Sequence, residues 1–274
     1  VKIAVITDQI SRDLDTACEQ VASWGGRQVS LRVVGEGPIG SNLSSSFLDS
    51  LCATLEGWDL QVVSIAPQAF KVGIDEPAMR YHRRILLPAS LHLAVLLKSQ
   101  VVHIGAPLKP AGAIGPAPEM ALEVLAEACE LAGNLGLTLA LENQAGTWAD
   151  TGTATAAITK AVGHHALKIA WDPATSLACG EEPFPTGYKA VERYLYAVRV
   201  RDQRQKGAGF EPVLPGDGQA RLAEVIQVLA AHEFTGPLLL DPGLSPRLEG
   251  ARAAYETLEK QLQAAKRAVR NLKA

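Results

Sequence analysis

Three carboxylates stand at matching places in the chain, each as the polar residue that stops a short apolar run. Glu142 follows Leu137–Leu141, Asp172 follows Lys168–Trp171, and Asp241 follows Pro237–Leu240. Carboxylates held close together repel, so such a cluster needs a cation or a shared proton. A divalent ion bound through oxygen and nitrogen ligands would serve, and so would a guanidinium. The plainer reading is that each acid caps the helix or turn behind it; three in register favour a site. Asp8, Arg32, Gln68, Lys71, His103, Asn143, Arg199, Arg201 and Asp202 also lie at or just beyond the ends of apolar runs. Lys71 suits contact with a substrate phosphate or hydroxyl, though a loop lysine can equally be solvated. His103 suits a general base, or a hydrogen-bonded structural histidine. Arg201, with Arg204 and Lys206, makes an anion site or a solvated basic loop. Glu181, Glu182 and Tyr188 belong to the loop after Asp172 and are placed to close over a bound molecule.

The elements that must position these residues alternate along the whole chain. Strand-like runs are expected at Lys2–Thr7, Gln28–Val34, Leu60–Ala66, Val101–Gly105, Leu137–Leu141, Lys168–Trp171, Ala197–Arg201 and Pro237–Leu240. Helices are expected from the Ser11/Asp13 cap region to Trp24, then at Ser44–Glu56, Pro77–Lys98 (kinked or split at Pro88), Glu119–Asn134, Gly152–Val162, Tyr188–Tyr194, Gln219–His232 and Pro246–Leu272. A Gly/Pro/Ser loop is expected at Gly35–Ser41. The strands are short and apolar, as when both faces of a sheet are buried. Eight βα units predict an α/β fold, a (β/α)8 TIM barrel forming a single domain over residues 1–274, close to the usual ~250 residues. An open doubly wound sheet would normally carry a Gly-rich turn after its first strand; here that turn reads Thr7-Asp8-Gln9-Ile10-Ser11. In the barrel fold chemistry gathers at the C-terminal strand ends, where the carboxylates stand. His164 and His165 fall in a helix-to-strand connection at the far end and are discounted as ligands.

Five motifs in order carry a resemblance. Leu139-Ala140-Leu141-Glu142-Asn143 is similar to an L-x-L-E-N signature, and Trp171-Asp172-Pro173 to a W-D-P motif. Val198-Arg199-Val200-Arg201-Asp202 stands in the place of V-H-V-K-D. Leu214-Pro215-Gly216-Asp217-Gly218 is similar to a P-L-G-E-G loop, and Gly236 to Asp241 to a terminal G-x-L-x-x-E strand. Together these resemble the xylose-isomerase-like sugar isomerase/epimerase superfamily over nearly the whole chain. The resemblance implies a sugar, sugar-phosphate or sugar-acid isomerase or epimerase that works through an enediolate. It also implies a divalent metal (Mg, Mn or Zn) on a Glu, an Asp, a His and a Glu. Glu142 and Asp172 match two of these ligands, and Glu142 and Asp241 take the places of the acid–base pair. Trp148, after the fifth strand, is placed to pack on a sugar face or on the barrel rim.

The departures from the pattern are specific. Asp241 replaces the last Glu, which draws its carboxylate ~1.5 Å toward the backbone; a misplacement near 1 Å can cost about a hundredfold in rate. Ser30, Thr175 and His103 stand where relatives often carry Glu, Asn and Arg. Arg199 stands where the family has its His ligand, and a guanidinium has no lone pair for a metal. Two readings stay open. In one, Arg199 swings outward and Glu142, Asp172 and Asp241 hold the ion. In the other, Arg199 points into the mouth, its charge replaces the metal, and the site either exchanges protons without an ion or binds a sugar without turning it over.

Composition narrows the partners. The 274 residues carry a net charge of −3, with 47% hydrophobic and 20% charged residues, ordinary for a globular chain with one large core. A negative chain argues against nucleic acid as a partner. The late cations Lys260, Lys266, Arg267, Arg270 and Lys273 suit the C-terminal end of a helix. Six scattered histidines argue against the His-rich, multi-zinc endonuclease branch of the same superfamily. Cys18, Cys52, Cys129 and Cys179 form no C-x-x-C pair and read as reduced thiols of a cytoplasmic protein. No leader and no membrane span are read in the sequence. The sequence leaves a homo-oligomer open.

Overall fold

The computed structural model describes residues 1–40 and 43–273. Eight parallel strands close a barrel: β1 (Lys2–Ile6), β2 (Gln28–Leu31), β3 (Gln61–Ala69), β4 (Val101–Ile104), β5 (Thr138–Glu142), β6 (Leu167–Trp171), β7 (Leu195–Val200) and β8 (Pro237–Leu240). Neighbours follow chain order around the ring, and β1 closes it by pairing with β8 through Lys2 to Pro237 and Val5 to Leu240. The expected (β/α)8 TIM barrel is therefore the fold, and the expected strands match within a few residues.

Side chains alternate in and out along each strand. Ala4, Ile6, Val101, Ala140, Ala170, Ala197 and Leu239 form one small buried cluster, separate from the larger cluster of Val5, Ile65, Leu139, Leu141, Ile169, Val198, Leu238 and Leu240 with the helices. The smaller set is the packed interior of the barrel; the larger one is the shell between strands and helices. Four alanines suit a narrow barrel, where larger side chains would collide.

Local sequence explains the helix starts. Asp13 caps helix Leu14–Ser23 by accepting from the Thr16 N–H at 2.9 Å, and Thr151 caps Gly152–Val162 by accepting from Ala154 at 3.1 Å. The expected helix Pro77–Lys98 is interrupted, before Pro88 rather than at it. Helix Pro77–Tyr81 passes through a wider turn at His82–Leu86 into helix Leu87–Leu96. Pro88 has no N–H for the α-helical bond, and the Leu87 N–H reaches back to the His82 carbonyl instead. Two small hairpins, Val33–Val34 with Gly37–Pro38 and Asp202–Lys206 with Gly209–Val213, were not expected. The first occupies the Gly35–Ser41 loop, whose end at Ser41 lies outside the described residues. The second delays the next helix from Gln219 to Leu222.

The four cysteines are free, and burial pushes the Cys18 and Cys129 thiols up to about 12. Among the described residues no helix is long and apolar enough to cross a membrane.

Candidate active site at the barrel mouth

The period of two along a strand builds the site. Val101, Ala140, Ala170, Ala197 and Leu239 point into the barrel. Two residues further on in each case stand His103, Glu142, Asp172, Arg199 and Asp241, so the alternation that fills the interior also aims these five at one mouth.

Glu142, buried at the end of β5, accepts from Lys71 Nζ at 2.8 Å, and its other oxygen lies 3.0 Å from His103 Nδ1. Arg199 NH1 lies 3.8 Å from the same carboxylate, and its other terminal nitrogen donates to Asp241. Asp241 also accepts from Arg32 NH1 at 3.0 Å, and Arg32 NH2 donates to Asp8 at 2.7 Å. Asp172 carries out the capping that the plainer reading expected: it accepts from the Thr175 N–H at 2.9 Å and the Thr175 hydroxyl at 3.0 Å. It also pairs with Arg201 NH2 at 2.9 Å, which donates to Thr175 Oγ1 at 2.7 Å. Asn143 fixes the Asp172 backbone, donating to its carbonyl and accepting from its N–H.

The mouth thus carries four acids and four bases: a chain of ion pairs runs Asp8–Arg32–Asp241–Arg199–Glu142–Lys71, and Asp172 with Arg201 forms a separate pair beside it. Burial pushes the Glu142 carboxyl up, but Lys71 and Arg199 outweigh it and hold the group well below the usual range. At Asp241 burial is likewise overcome, by Arg199 and Arg32. Burial opposes the charge of Arg199, and Asp241, Glu142 and Asp172 reverse that and raise its pKa.

A position is also built for Lys71. Gln68 and Phe70, both just before it in the chain, have left-handed φ of 63° and 68°, each a strain of about 1–2 kcal/mol for a residue with a Cβ. Gly105, at the end of β4, leaves room for the lysine stem: a Cβ there would lie 2.5 Å from Lys71 Cγ. The Lys71 ammonium is steadied by Gln68 Oε1 at 2.9 Å, and the Phe70 N–H by His82 Nδ1 at 2.9 Å.

Of the residues expected at the site, Glu142, Asp172, Asp241, Lys71, His103, Arg199 and Arg201 are brought together. Glu181 and Trp148 are engaged elsewhere. Glu181 accepts from the N–H groups of Gly152 and Thr153 at the start of a helix, at 2.7 and 2.9 Å. Trp148 lies half-buried with Lys109 5.5 Å from its ring centre. Asp8 and Arg32, at the ends of β1 and β2, join the site as well; in the sequence they stand only as polar residues at strand ends, and that position is the one signal for them. Asp202 organises a loop instead, accepting from the N–H groups of Gly216, Gly218 and Ala220.

The resemblance implies a divalent ion, and the donor set can be tested for it. Oxygens of Glu142, Asp172 and Asp241 already face ammonium, guanidinium, imidazole or N–H donors, and Arg199 lies between two of the acids. Among the described residues no three of His, Cys, Asp and Glu gather as a metal-holding group. In this conformation the set does not fit a divalent ion.

A xylose isomerase-like TIM barrel family model matches residues 18–261. A comparison with curated protein sequences finds no match. Among solved structures, the chain is similar to a xylose isomerase-like TIM barrel protein from Mycobacterium smegmatis in complex with magnesium (17% identity, 97% of each chain covered, TM-score 0.76). It is similar to a probable 3-DHS dehydratase involved in petrobactin synthesis from Bacillus anthracis (15% identity, 94% of this chain and 99% of that one, TM-score 0.77). It is also similar to an L-ribulose 3-epimerase (13% identity, 100% and 99%, TM-score 0.76). At such identities the likeness shows the fold, and the family match carries the assignment: the chain belongs to the xylose isomerase-like TIM barrel family.

Proposed function

We propose that this barrel is an isomerase- or epimerase-type enzyme that moves a proton beside the carbonyl of a small sugar, sugar acid or sugar phosphate. The observation that carries this reading is Glu142, a buried carboxylate held ionised within reach of an ammonium at 2.8 Å and an imidazole at 3.0 Å. An ionised carboxylate accepts a proton, and cations beside it receive the negative charge that appears on the substrate oxygen. As Glu142 takes the carbon-bound proton, Lys71 and Arg199 pass from the carboxylate to the enediolate oxygen, so the charge of the mouth is conserved. Asp241 is the second carboxylate of the pair. Both acids are held ionised before substrate enters, so the proton available for return is the one Glu142 has taken. Return to the neighbouring carbon, together with transfer of the hydroxyl proton from one enediol oxygen to the other, is an aldose–ketose isomerisation. Lys71, His103, Arg199 and Arg201 face the substrate in this reading. A divalent ion on Glu142, Asp172 and Asp241 belongs to a variant in which Arg199 has swung outward; no step above depends on it.

One observation favours a second reading, a sugar-binding barrel without turnover: each mouth acid already has a cation partner. Proton exchange in D2O, followed by NMR over a panel of aldoses, ketoses, uronates and sugar phosphates, separates the two. Turnover incorporates deuterium beside the carbonyl, and Glu142→Gln lowers the rate at least a hundredfold. Binding without exchange selects the second reading, and neither binding nor exchange sinks both.

A further inference from the structure

In each arginine or lysine ion pair of the mouth the cation is the more exposed partner; His103 beside Glu142 is the buried exception, 2% against 5%. Side-chain exposure is 18% for Arg32 against 11% for Asp8, 12% for Lys71 against 5% for Glu142, 12% for Arg199 against 5% for Asp241, and 33% for Arg201 against 0% for Asp172. The acids form the floor and the bases lie over them. The network is neutral as a whole, yet the surface it offers an incoming molecule is positive, because the negative charge is deeper and already compensated. The hairpin that continues from Arg201 repeats the pattern: Arg204 and Lys206 are 58% and 73% exposed, and their shared partner Glu211 is 28% exposed.

Arg201 is the best anchor in this set. Asp172 and Thr175 pin one terminal nitrogen, which fixes the plane of the guanidinium. Its Nε, like that of Arg199, is buried with no hydrogen-bond partner among the described residues. Buried as they are, these Nε atoms lie out of an incoming molecule's reach; a third of the Arg201 side chain is exposed, and the terminal nitrogen not held by Asp172 and Thr175 has no hydrogen-bond partner among the described residues. Guanidinium groups with open donors bind carboxylate and phosphate oxygens through paired, charge-assisted bonds that a neutral hydroxyl cannot equal.

We infer that the mouth takes an anionic polyol, with its carboxylate or phosphate against Arg201, in preference to a neutral sugar. This rests on the proposed reading of the mouth as a carbohydrate site and narrows its substrate class. A small polyol bearing an anionic oxygen group is the shared chemistry; a sugar acid and a sugar phosphate are its two sources.

Calorimetric titration of the full chain with D-gluconate, D-glucuronate, D-glucose 6-phosphate, inorganic phosphate, D-glucose and D-fructose, at low and at physiological salt, tests the inference. At least one anionic sugar binds tenfold or more tightly than both neutral sugars, and its affinity falls as salt rises. Gluconate or glucuronate ahead of the phosphate identifies a sugar acid, and the reverse a sugar phosphate. Arg201→Ala removes at least tenfold of the anion's affinity and with it the preference for the anionic over the neutral sugars. Arg201→Lys keeps the charge without the planar fork and loses part of it, which guards against a variant that folds poorly. Equal affinity for charged and neutral sugars, binding of no anion, or anion binding indifferent to both Arg201 variants overturns the inference. Arg201-dependent anion binding with no exchange in D2O refutes turnover and leaves the inference standing. Exchange on neutral sugars alone does the opposite.

Discussion

Replacing Arg199 with methionine tests whether the guanidinium holds the mouth together. The methionine chain fills much of the same volume, so the change removes chiefly one charge. Arg199 is 12% exposed and contacts two buried acids, Asp241 and Glu142. Breaking a buried pair by deleting one partner costs roughly 3–5 kcal/mol. Arg32 stays on Asp241 at 3.0 Å and Lys71 on Glu142 at 2.8 Å, so we place Arg199→Met at about 3 kcal/mol, the low end of that range. For a chain of this size that is a fall in Tm of roughly 6–12 °C. The pH dependence supplies the sharper test. In the native protein the folded pKa of Asp241 lies below its unfolded value, so its contribution is present above about pH 4 and is lost as pH falls through the folded pKa. Without Arg199, burial is opposed by Arg32 and Arg201 but no longer by its strongest counterweight, and the carboxyl rises. Once its folded pKa exceeds the unfolded one, the variant regains stability as pH falls. The stability gap between the two proteins, read from urea midpoints, is therefore wider at pH 7.5 than at pH 4.5. A variant as stable as the native protein at pH 7.5, or a gap that does not change with pH, refutes the reasoning.

Arg199→His restores a nitrogen donor beside Asp241 and Glu142, and by calorimetry it binds Mn2+ at least tenfold more tightly than the native protein. A native protein that carries a stoichiometric divalent ion contradicts the guanidinium reading. Gly105→Ala drives a Cβ against the Lys71 stem, where the space is 2.5 Å, and costs about 1–3 kcal/mol through overpacking. In a Lys71→Ala background the same change costs little, because the clashing stem is gone; strictly additive effects on Tm would show that Gly105 does not make room for the lysine.

Much of this molecule is legible in its sequence. The alternation of short apolar runs with amphipathic segments is a consequence of burial on both faces of a parallel sheet, and it read as eight βα units. Glu142, Asp172 and Asp241 were visible because each ends such a run, and the period of two then aims it inward. The interruption of the helix Pro77–Leu96 is legible from the missing N–H of Pro88; its form, a widened turn at His82–Leu86 just before the proline, depends on what packs around it.

What only the tertiary structure decided is the pairing. The sequence placed an arginine among acids and left two readings of it, because a guanidinium on a long flexible stem can point either way. In the fold it lies between Asp241 and Glu142. Arg32 and Asp241 are 209 residues apart in the chain, and they meet because β1 and β8 close the ring and β2 lies beside β1. Lys71 reached Glu142 through a strained turn and a gap left by Gly105, neither of which has a local signature. A strand end determines which residues face the mouth; closure of the barrel determines which charge each of them meets.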